Sequence, residues 1–106
     1  MAYEVILSTS AQADVDAIAE YISVNLDNPQ AAGQLLDRIQ YVLELVSDSP
    51  EMFSYAKEPA LAKMGCRSFN VGNYLVFYRI RAKEEVIDVV GVIYGKRDFE
   101  NWELQS

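Results

Sequence analysis

Residues 66–81 read CRSFNVGNYLVFYRIR, and their pattern decides the fold. Side chains alternate with a period of two on both sides of Gly72-Asn73, as in a β-hairpin closed by a two-residue turn. Pairing across that turn sets Val71 opposite Tyr74, Phe69 opposite Val76 and Arg67 opposite Tyr78. One face then carries Arg67, Phe69, Val71, Tyr74, Val76, Tyr78 and Ile80. The other carries Cys66, Ser68, Asn70, Leu75, Phe77, Arg79 and Arg81. The first face is richer in apolar residues and belongs under helices. The second mixes two large apolar residues with two arginines. With no further helix left to cover it, Leu75, Phe77, Arg79 and Arg81 are expected to form an open docking surface, unless the 50–64 segment or the C-terminal tail folds over it.

Beyond this hairpin, "KEE" at 83–85 makes a turn into "VIDVVGVIY" (86–94). That run is apolar or Gly on both faces apart from Asp88, which marks a central strand. It leads through Gly95 into Lys96 and Arg97, whose charged heads can reach solvent once the strand has left the sheet. Upstream, "YEVIL" (3–7) is a short strand, and Ala11, Val15, Ile18 and Ile22 form one stripe of a helix over 10–26. Thr9 with Gln12 fits a capping box. Asn28 and Pro29 start a second helix over 29–48, with Leu35, Ile39 and Leu43 on its apolar face. So short a connection makes the helices an antiparallel hairpin. Pro50 ends the second helix, and residues 50–64 read as an ordered loop. The order is βααβββ: an α+β fold with a helical hairpin packed on one face of a mainly antiparallel four-stranded sheet, a single domain over residues 1–106.

The chain of 106 residues carries a net charge of -7, unevenly distributed. Residues 1–56 hold nine acids and one base, Arg38, whereas residues 57–106 hold eight bases and seven acids. There is no His and a single cysteine, Cys66, so neither a zinc site nor an internal disulfide is expected. No cofactor or metal is implied. No apolar run approaches the ~18 residues of a membrane span, and the N-terminus lacks a signal-peptide layout, which points to a cytoplasmic protein without membrane attachment.

The βααβββ order, the segment GCRSFNVGNYLVFYRI (65–80) and the ending VVGVIYGKRDFE (89–100) together resemble the RelE/ParE toxins of bacterial type II toxin–antitoxin modules. The similarity runs from the first strand to about Glu100 and is closer to the ParE branch, also called plasmid-stabilisation proteins. It implies a cytoplasmic toxin held inactive by a cognate antitoxin, as a homodimer or a toxin–antitoxin hetero-oligomer. ParE-type members poison DNA gyrase without chemistry of their own, and RelE-type members cleave messenger RNA on the ribosome. The nuclease route would cast Arg67, Tyr94 and Arg97 as catalytic residues. Against it stand neutral residues in the hairpin, the missing His and the acidic net charge, which opposes docking on RNA. The binding toxin is therefore the reading adopted, with the endoribonuclease as its alternative and a non-toxic antitoxin-binding remnant as a second. The surface expected to bind antitoxin or target comprises Leu75, Phe77, Arg79, Arg81, Lys96 and Arg97, the last two facing an acidic antitoxin segment.

Overall fold

The computed structural model describes residues 2–94. Strand β1 (Glu4–Leu7) leads into helix α1 (Thr9–Glu20), a π-helical turn (Tyr21–Asn25) and helix α2 (Pro29–Asp48). A short helix α3 (Pro59–Lys63) precedes β2 (Cys66–Val71), β3 (Tyr74–Arg81) and β4 (Val86–Tyr94). The sheet order is β1-β4-β3-β2, with β1 parallel to β4 and the other pairs antiparallel. β4 is thus the central strand that its apolar composition predicts. The hairpin register is also the predicted one, Val71 with Tyr74 and Arg67 with Tyr78, around Gly72 at φ 59°. That positive φ suits a residue without a Cβ.

The core lies between the helical hairpin and one sheet face. Ile22, Leu35, Ile39, Leu43 and Val46 from the helices meet Phe69, Val71, Val76, Tyr78, Ile87, Val89 and Val92 from the strands. β4 changes parity within this layer. Tyr78 pairs with Val89 while Phe77 pairs with Gly91, so Val90 is the extra residue of a β-bulge. Before the bulge odd-numbered residues face the helices; after it Val92 does. The parity change turns Val92 toward the helices, where an unbroken alternation would have placed Gly91 and Ile93.

The helix starts differ in detail from expectation. The α1 N-cap is Ser8, not Thr9: its Oγ accepts the Ala11 N–H at 3.0 Å. The regular part of the first helix stops at Glu20, and the wider π turn follows, with the Leu26 N–H bonded to the Tyr21 carbonyl at 3.1 Å. The turn keeps Ile22 in the core while Tyr21 and Val24 point outward. The second helix spans 29–48 as read, with Asn28 Oδ1 accepting the Ala31 N–H at 3.1 Å.

The 50–64 segment is more than a loop. Phe53 packs on Phe69 at 5.1 Å on the helix side. The chain then runs along the free edge of β2: Ser68 N–H donates to the Ser54 carbonyl at 3.3 Å, and Ala56 N–H to the Cys66 carbonyl at 2.9 Å. From there α3 folds onto the outer sheet face, where Ala56 and Leu61 pack with Cys66 and Phe77. Among the described residues no helix is long and apolar enough to cross a membrane.

Candidate protein-docking site

The outer face of the sheet is only partly open. Phe77, expected to be exposed there, is 4% exposed beneath the 50–64 segment and α3. The expectation of an uncovered face is corrected at this residue: of the two alternatives, the covering segment is the one found. Its driving force is burial of an aromatic ring with Cys66, at ~2–3 kcal/mol for a side chain of this size. Leu75 and Val90 pack against the margin of that cluster and are half-buried.

Next to the covered patch, Asp88 sits between two arginines. Arg81 Nε lies 2.7 Å from Asp88 Oδ2, and its second nitrogen donates to Oδ1 at 3.2 Å. Arg79, the cross-strand neighbour of Asp88, reaches to 4.0 Å. Both arginine side chains remain more than two-fifths exposed, so this cluster presents a net positive charge to solvent. It borders Cys66, whose thiol is pushed up in pKa by burial, with Arg79 pulling the other way.

Arg67 is engaged elsewhere. Its guanidinium stands over the Tyr55 ring at 4.2 Å and donates to the Phe53 carbonyl at 2.6 Å. The stacked ring is Tyr55 rather than that of Tyr78, the cross-strand partner of Arg67, because the 50–64 segment bridges to β2 at this point. Tyr78 instead donates its hydroxyl to the Pro50 carbonyl at 2.9 Å. Tyr94 meets Tyr74 edge-on at 5.3 Å, far along the strand from Arg67. Lys96 and Arg97, with the tail to Ser106, lie outside the described residues.

A second surface escaped the sequence reading. With β2 flanked by residues 54–56, β1 is the free edge of the described sheet. Glu4 and Ser8 donate their N–H groups to β4-side carbonyls, of Glu85 and Val89, so Tyr3, Val5 and Leu7 direct theirs outward. Tyr3 N–H is taken by the Ser47 carbonyl at 2.9 Å, and Ser47 Oγ donates to the Tyr3 carbonyl. Val5 and Leu7 have no such partner among the described residues. Beside them a groove of about 690 Å³ opens between β1, the start of α1 and α2, lined by Val5, Leu7, Val15, Leu36, Ile39 and Leu43. Unpaired strand groups next to an apolar groove form a template for an added strand. The signal for it in the sequence was only the brevity of β1.

The helical side closes the other half of β4. β1 pairs with residues 86–89 only. Farther along, Asp14 Oδ2 on α1 accepts the Val92 N–H at 3.0 Å, so a side chain substitutes for the missing strand.

The comparisons bear on family and fold. The family model for "ParE toxin of type II toxin-antitoxin system, parDE" matches residues 5–99. The chain belongs to the ParE toxin family. Two solved structures share the fold of this ParE-family chain. One is the toxin–antitoxin complex RelBE2 from Mycobacterium tuberculosis, with TM-score 0.62 and 17% identity over 89% of this chain and 99% of that one. The other is the chromosomal ParDE system from P. aeruginosa, with TM-score 0.61 and 19% identity over 89% and 97%. Comparison with curated proteins finds no match.

Proposed function

We propose that this ParE-family protein is a cytoplasmic toxin neutralised by a cognate antitoxin, and that its target when free is DNA gyrase rather than translated message. The antitoxin adds an extended segment to the β1 edge, over the groove. It continues across Ile6 to the outer face, where Leu75, Arg79 and Arg81 receive it. Phe77 supports that face from beneath rather than by contact, and Lys96 and Arg97 remain proposed contacts for the antitoxin or the target.

The observation that carries the choice of target is the position of Arg67. Cleavage of RNA needs cations free to hold phosphate and to stabilise developing charge. Arg67 is held by Tyr55 and the Phe53 carbonyl. Arg79 and Arg81 share the Asp88 carboxylate. Tyr94, the remaining described candidate, neighbours tyrosine rather than arginine. Such a surface supports binding better than phosphodiester chemistry.

Induced expression tests the reading. Growth arrest with filamentation and a DNA-damage response is the expected phenotype, relieved when the antitoxin is co-expressed. Arrest of translation without DNA damage would overturn the assigned target.

A further inference from the structure

We infer that the segment occupying the groove beside β1 is cationic, with Lys or Arg on its helix-facing side. This rests on the reading of that groove as the antitoxin-docking edge, and it specifies the partner's chemistry there. It is the reverse of the acidic segment expected opposite Lys96 and Arg97.

The α2 rim of the groove carries Glu44 and Asp48, which themselves line it. Asp37, Tyr41, Glu44 and Asp48 follow each other at spacings of four, three and four, so they form one exposed stripe along α2. Across the groove, the lining residue Gln12 donates its amide to Asp16 Oδ1 at 3.0 Å, so another carboxylate stands one side chain behind the α1 lining. No Lys or Arg among the described residues lies within ion-pair distance of these acids; the described ion pairs all involve Asp88. The one base of residues 1–56, Arg38, does not line the groove. An apolar floor with an anionic α2 rim, and with Asp16 behind Gln12 on the α1 side, therefore faces whatever pairs with Val5 and Leu7.

Each kind of occupant meets a different fate there. A second copy of this chain would bring its own Glu44 and Asp48 against the same acids. An acidic segment would do likewise, since like charges in direct contact lie inside the Debye length of ~8 Å at physiological ionic strength and are little screened. Lys and Arg side chains suit both layers: their methylene stems cover the apolar floor and their charged heads reach the rims. The strand's main chain supplies the hydrogen bonds, and its cations supply register and partner choice.

The test uses two labelled ten-residue peptides, alternating Val with Lys and Val with Glu, and a version of each with a central Pro that cannot pair as a strand. Binding to the full chain is followed by fluorescence anisotropy at low and physiological salt. The Lys peptide should bind about tenfold more tightly than the Glu peptide, and its proline version should not bind. Glu44→Lys with Asp48→Lys should abolish or invert the preference, whereas Asp27→Lys, between the helices, should not. Equal binding of the Lys and Glu peptides, both lost on adding proline, would leave the edge as a docking site and overturn its charge selectivity. Lys-peptide binding that survives proline and weakens equally with Asp27→Lys would be unspecific attraction and would overturn the groove as its site. Binding of neither peptide would overturn both.

Discussion

Tyr78 and Cys66 lie on opposite faces of the sheet, and each is titratable, fully buried and shifted by its surroundings. Burial raises the Tyr78 pKa above the ordinary phenol range, with the Arg67 charge opposing it. The folded state thus holds the phenol proton more tightly than the unfolded one. Stability from this residue is complete below about pH 10 and is lost as pH rises through the folded-state value. Tyr78→Phe should cost about 1 kcal/mol in urea denaturation at neutral pH, for the bond to Pro50, and should flatten the alkaline fall in stability. The buried Cys66 thiol should resist an aromatic disulfide reagent at pH 8 until urea unfolds the chain; fast labelling of the native protein would mean that α3 opens readily. The side of each residue was legible from period-two alternation. Their partners were not, because Pro50, Phe53 and Tyr55 reach the strands through an aperiodic segment whose path no spacing encodes.

At the scale of elements, the two helices and the hairpin were readable because each carries a long, consistent apolar period. Ile39, on the α2 stripe, is 7% exposed in the core. Ile39→Ala should therefore destabilise by about 2–5 kcal/mol in chemical denaturation. What escaped reading were the places where periodicity breaks: the π turn, the bulge at Val90, and α3, which has only five residues. Asp14 belongs here too. In sequence it looks like a helix-start acid; in the fold it ends the exposed stretch of β4 by accepting the Val92 N–H. Asp14→Ala should cost about 1–3 kcal/mol, because a main-chain donor is left without its carboxylate. Hydrogen exchange at Val92 should quicken more than at Ile87, which has its own strand partner; equal protection would remove Asp14 from this role. Phe77→Ala should destabilise by about 3–5 kcal/mol, so a binding test of the outer face is better made with Arg79→Ala.

For the whole molecule, the uneven charge now has a place in the fold. Most acids of the first half lie on the helical hairpin, Glu44 and Asp48 among them at the groove, while Arg79 and Arg81 present cations on the opposite side of the sheet. The fold and family were legible because the βααβββ order and its strand patterns span nearly the whole chain. The groove was not, since it exists only where β1 stops short beside α2. The most direct test of the central claim adds the purified protein to supercoiled plasmid with DNA gyrase and ATP, and the same protein to a translating extract with primer extension on its message. A gyrase poison without ribonuclease chemistry predicts linearised plasmid that depends on both gyrase and this protein, with intact message in the extract. Codon-specific message cleavage with no gyrase-dependent DNA breaks would contradict the account.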